Sequence, residues 1–144
     1  MTLEKLNHMK NIIEILLINA DRHEQDIFSF ALNDLQVRYK CRFARNIKDA
    51  IKKLSTIIPD YIFIDVKETK PGKFSCLEQI KKIANLKDTQ VIICSDDNTD
   101  ESSAKALQLG ACMCISKTSM ISELIFTLKK IFTSNKSIKA IYNL

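Results

Sequence analysis

The sequence predicts an α/β fold, a doubly wound parallel sheet of five strands in the order 2-1-3-4-5 with helices on both faces. Three observations carry that expectation. Short, near-continuous apolar runs alternate with segments of 3.6-residue period, the pattern of buried strands joined by crossover helices. One run, residues 37 to 43, alternates apolar and basic residues instead, as a strand covered on one face does. The chain has 144 residues, enough for one domain with an ordinary core but marginal for two.

Each element follows in order. "IIEILLI" (12 to 18) is a strand buried on both faces. Residues 22 to 35 form the first helix, with Ile27, Phe28, Ala31, Leu32 and Leu35 on one side. "VRYKCRF" (37 to 43) puts Val37, Tyr39, Cys41 and Phe43 on one face and Arg38, Lys40 and Arg42 on the other, so it belongs at an edge. In the helix 47 to 55, Ile47, Ala50, Ile51 and Leu54 keep the i, i+3, i+4, i+7 spacing. "YIFI" (61 to 64) is the third strand and runs straight into Asp65. A helix over 76 to 85 opens with "SCLE", Ser75 as cap and Glu78 reaching back. "VIIC" (91 to 94) is the fourth strand. The next helix carries Asp100 and Glu101 in its first turn and ends at Gly110, where a left-handed residue is wanted. "ACMCI" (111 to 115) closes the sheet as another buried run. The last helix, 119 to 132, has Ile121, Leu124, Ile125, Leu128, Ile131 and Phe132 in one stripe. The domain therefore spans 12 to 132, after an extension (1 to 11) and before a segment (133 to 144) that is either a loose tail or a continuation of the last helix.

Composition narrows the function classes. No apolar run approaches a membrane span and the first residues lack a secretory signal, so the expected location is cytoplasmic, with no membrane partner. Five cysteines, an odd number set within or beside apolar runs, read as buried thiols rather than a disulfide framework. Cys112 and Cys114 share a spacing that a soft metal could use, but no second Cys/His cluster accompanies them. The net charge of +5 is carried by lysines spread over several helices without interleaved aromatics, and no nucleic-acid partner is expected. His8 and His23 have no serine or cysteine partner for a catalytic dyad.

A sheet of this order binds ligands beyond the carboxyl ends of its strands, at the switch point between strands one and three. Strand one ends in "INAD" (18 to 21), strand three in Asp65, strand four in Ser95 and Asp96, and strand five leads to Lys117. A carboxylate, a hydroxyl and an ammonium at one rim suit phosphoryl chemistry: the first accepts the group, the second donates to an oxygen, the third neutralises charge.

Taken together, "FID", "VIICS", "LQLGA" and Lys117 resemble the receiver domain of two-component response regulators, over residues 12 to 132. The intervals of 30 residues from Asp65 to Ser95 and 22 from Ser95 to Lys117 agree with it. The resemblance implies a flavodoxin-like receiver fold and a signalling module, not an enzyme. It implies Asp65 as phosphoacceptor, Ser95 as switch hydroxyl and Lys117 as bridging cation. The implied partners are a histidine kinase or phosphotransfer protein and a downstream protein bound by the face of helix four, strand five and helix five, with a homodimer as a further option.

Several positions depart from the pattern. Receivers usually end strand one with two acidic residues that hold magnesium, and here these are Asn19 and Ala20. The proline after the lysine is Thr118, the aromatic three residues before it is Cys114, and the loop after Asp65 is longer, running through Glu68 to Pro71. The expected metal site is thus Asp65 with Asn19 and Asp21, binding Mg2+ weakly or not at all, since Asp65 and Lys117 already sum to zero. A charge pair at 4 Å is worth on the order of 4 kcal/mol at an effective dielectric near 20, and a divalent ion doubles it. Losing two acidic ligands therefore costs metal affinity heavily. Asp21, Glu24 and Asp26 otherwise read as charges favouring the start of the first helix, Asp96, Asp97 and Asn98 as capping material for the fourth, and Asp65 as a structural partner of Lys117. Two functions remain: a stand-alone phosphorelay receiver, and a phosphorylation-independent receiver that acts as an interaction module. A flavodoxin-like cofactor binder is disfavoured, because "NADRHEQD" after strand one contains no glycine, serine or threonine to cradle a phosphate.

Overall fold

The structure, a computed structural model, describes residues 12–66, 74–96, 99–117 and 120–134. The extension 1 to 11, the loop with Glu68 and Pro71, Asp97, Asn98, Thr118 and the tail from 135 lie outside the described residues.

Five strands, β1 (Ile13–Ile18), β2 (Tyr39–Ala44), β3 (Tyr61–Val66), β4 (Gln90–Ser95) and β5 (Met113–Ser116), form one sheet of order β2-β1-β3-β4-β5. Every pairing is parallel. Alternation along the strands divides the core in two. Ile15, Leu17, Tyr61 and Phe63 pack under α1 (Arg22–Asp34) and α5 (Ile121–Ser134), with Phe28, Leu32, Leu128 and Phe132. Leu16, Ile18, Ile62, Ile64 and Ile93 pack under α2 (Ile47–Leu54), α3 (Ser75–Lys81) and α4 (Asp100–Gln108). In the first layer the Phe28 and Phe63 rings meet edge to face at 5.1 Å, as do Tyr61 and Phe132. Helices on both faces of a parallel sheet are the doubly wound arrangement the apolar pattern predicts.

The helix starts follow from their caps. Asp21 accepts from the His23 and Glu24 amides at the head of α1, Asn46 from the Asp49 amide before α2, and Thr99 from the Ser102 amide before α4. Gly110 follows the end of α4 with φ +109°, where a side chain is strained, and a Cβ there would lie 2.8 Å from Lys81 Cε. Three expectations need correction. Ser75 is not a cap: α3 begins one residue earlier than its capping box requires, behind Phe74, and Ser75 Oγ accepts from Gln79 Nε2 instead. The helix also stops at Lys81, and a 3-10 turn, Ala84–Leu86, carries the chain to β4. The fifth run lies at the edge the predicted order gives it, but it is not buried on both faces: Met113 is 37% exposed and Cys112 is an exposed thiol.

Parallel strands present all their carboxyl ends on one rim. Asn19, Asp65, Ser95 and Lys117 are collected there for that reason.

Candidate functional site

Asp65 is the fifth residue of β3, on the α1/α5 side by alternation from Phe63. Its side chain is 3% exposed. A carboxylate that deep needs a compensating charge, since desolvation of an unpaired ion costs several kcal/mol. Lys117 provides it: Nζ donates to Asp65 Oδ1 at 2.6 Å. The lysine is aimed by its backbone, whose amide continues the β5–β4 ladder by donating to the Ser95 carbonyl at 3.0 Å.

Lys117 has a second partner that the sequence did not reveal. Nζ also lies 3.2 Å from Glu24 Oε1 in the first turn of α1. The other oxygen, Oε2, accepts from Asn19 Nδ2 at 2.7 Å. Asn19 is itself buried and fixed at every polar group: Oδ1 accepts from the Asp21 amide at 2.8 Å, its carbonyl from Gln25 Nε2 at 2.8 Å, and its amide donates to the Ala44 carbonyl at 2.9 Å. A continuous chain, Asp65 to Lys117 to Glu24 to Asn19, thus ties the ends of β1, β3 and β5 to the head of α1. No sequence pattern marks the contact of Lys117 with Glu24, which joins α1 to the residue after β5.

Electrostatically the cluster carries one cation and two carboxylates, net minus one. Burial lowers the Lys117 pKa, but the bond and charge of Asp65, and then of Glu24, outweigh it and hold the ammonium above its ordinary value. The side chain flanking Asp65 from β4 is Cys94, its partner in register. Burial, reinforced by the Asp65 charge, pushes that thiol up to about 12, so it is a neutral packing group. Ser95 is buried at the end of β4, in register with Val66 and on the side of Val91 and Ile93. A cavity of about 80 Å³ is lined by the polar cluster itself, Asn19, Glu24, Asp65 and Lys117, and by apolar neighbours such as Phe28 and Leu124.

A divalent ion such as magnesium asks for several oxygen ligands converging on one point. The residues present do not fit it. Ala20 has no side-chain ligand, the Asn19 Oδ1 accepts from the Asp21 amide, and Asp21 Oδ1 caps α1. Asp65 and Glu24 share Lys117 between them. Among the described residues no three His, Cys, Asp or Glu side chains are gathered as a metal would need. Nor, among them, is any helix long and apolar enough to cross a membrane.

Comparison with known proteins agrees with this architecture. The family model described as the response regulator receiver domain matches residues 15–129. No curated protein matches the chain. Among solved structures, the chain is similar to the receiver domain of a DNA-binding response regulator from Colwellia psychrerythraea, with 28% identity, 83% of this chain and 97% of that one covered, and a TM-score of 0.69. It is similar to the phosphorylated cyanobacterial phytochrome response regulator RcpA at 21% identity, covering 84% and 91%, TM-score 0.71. The Mn2+-bound response regulator Rcp1 aligns at 16% identity, covering 84% and 92%, TM-score 0.69.

Proposed function

Because the chain belongs to the response regulator receiver family, we propose that it accepts a phosphoryl group on Asp65 from a histidine kinase or phosphotransfer protein and passes the signal on by protein contact. Receivers are signalling modules rather than enzymes, and a two-component role follows from membership. The finer reading rests on one observation, the pairing of the buried Asp65 carboxylate with Lys117 at 2.6 Å.

An Asp65 oxygen attacks phosphorus, forming the acyl phosphate as the P–N bond to the donor histidine breaks and its electron pair stays on that nitrogen. Lys117 neutralises the equatorial charge, and the family spacing gives Ser95 the switch role, from the face of β4 that carries Val91 and Ile93. The output surface is α4, β5 and α5, where Leu107 (50%), Met113 and Phe126 (64%) stand exposed together with polar neighbours. Cys114 replaces the usual aromatic on β5, so transmission through that strand relies on a smaller side chain.

A second reading, binding a partner without phosphorylation, is favoured by the commitment of Asn19 and Asp21 to backbone amides, which leaves no metal-holding pair. Incubation with a small phosphodonor, read by intact mass, separates the two. The acceptor reading expects one added phosphoryl group on the wild type and none on Asp65→Asn. An unmodified wild type supports the second reading.

A further inference from the structure

We propose that Glu24 is a positioning residue that sets how strongly the rim takes an anion, by competing for Lys117 with the oxygens of an incoming phosphoryl group. The proposal rests on the reading of Asp65 as the acceptor position and adds a residue that neither the site motif nor the family match assigns.

The geometry carries it. Both carboxylates touch one ammonium nitrogen, Asp65 at 2.6 Å and Glu24 at 3.2 Å, so they are close neighbours of each other. Glu24 is not a loose surface side chain at this place: its second oxygen is fixed by Asn19 Nδ2 at 2.7 Å, and Asn19 is buried and anchored on β2 through Ala44. Its backbone is set by the Asp21 cap. Any anion arriving on Asp65 meets this fixed negative charge and competes with it for Lys117. Like charges at such range repel by an amount that partial exposure of Glu24 reduces but does not remove. Where two strand-end acids would draw a divalent ion into the rim, here the negative charge comes from α1 and is already answered by the lysine. Anion affinity is thereby coupled to the first turn of α1: moving that turn away releases Lys117, and engaging Lys117 releases that turn.

The test uses inorganic phosphate, which needs neither a kinase nor covalent chemistry. Phosphate is titrated into the full chain at constant ionic strength, and binding is followed by the amide NMR shifts of Lys117 and Val66. The expected result is that Glu24→Gln, which keeps an acceptor for Asn19 but loses the charge, binds phosphate about tenfold tighter than the wild type. Glu24→Met, uncharged and of similar length, should show the same gain, while Glu24→Asp, which keeps the charge, should remain as weak as the wild type. A merely structural Glu24 would give equal or weaker binding in all three, and that result overturns the proposal, as does a Glu24→Asp variant as tight as Glu24→Gln. No difference between wild type and Glu24→Gln up to the solubility limit also overturns it. Phosphodonor labelling of the same proteins reports on Asp65 separately: tighter phosphate binding without labelling keeps Glu24 in this role and removes the acceptor reading, and labelling without tighter binding does the reverse.

Discussion

Lys117 is the residue on which the site depends, since it balances a carboxylate that is 3% exposed and reaches a second one in α1. Lys117→Met should cost about 3 kcal/mol of unfolding free energy, because it strands Asp65 without a counter-charge, and adding Asp65→Asn should recover most of it. Urea unfolding of the two variants measures both. The sign of the pH dependence follows from the raised lysine pKa. The ordinary value is 10.5 and the folded value lies above it, so the ion pair contributes fully below pH 10.5 and is lost as pH rises through the folded value. The gap between wild type and Lys117→Met should therefore be constant through neutral pH and close on the alkaline side. A gap that persists once the lysine has lost its proton would mean that the ion pair does not supply the compensation.

Among the elements, the caps give the sharpest contrast between pattern and fold. Thr99→Ala and Asp21→Ala should each cost about 1 kcal/mol, since each removes a side-chain acceptor from a helix head. Ser75→Ala should cost only a few tenths, because Ser75 lies inside α3 and contributes a single exposed bond to Gln79. Thermal or urea unfolding of the three variants checks the ranking. The same contrast shows what a linear reading captures. β1, β3 and β4 are legible because a strand covered on both sides leaves a continuous apolar run, and β2 because one covered face leaves an alternating one. β5 lies at the edge its place in the expected order requires, but its run, as apolar as the others, misleads about burial. Asp65, Ser95 and Lys117 are legible from their spacing and their places at strand ends. Glu24 is not, because its role exists only once α1 and β5 are brought together, and within its own helix it is simply a favourable first-turn charge.

At the scale of the whole molecule, charge is unevenly placed. Residues 37 to 55 hold seven of the 22 lysines and arginines but only one of the 17 acids, Asp49. These residues form β2 and α2, and Lys40 and Arg42 project on the α2 side of the sheet, so what reads as a dispersed charge in sequence is gathered along one edge. Arg42 and Lys53 are answered by Glu14 and Asp49. Lys40, Lys48 and Lys52 add like charge along the same edge, so added salt should raise the urea midpoint, and Lys48→Glu should stabilise by about 0.5 kcal/mol. A midpoint that falls with salt would count against this. At the opposite edge of the sheet Leu107, Met113 and Phe126 stand exposed. At the rim Lys117 occupies Asp65 and Glu24 together, where relatives with two strand-end acids would use a metal. Phosphodonor labelling of Asp65 across a magnesium titration, in the wild type and in Asn19→Asp with Ala20→Asp, tests it most directly: wild-type labelling should be slow and nearly independent of magnesium while the double variant responds steeply, and a wild type that responds as steeply and at the same concentration would contradict it.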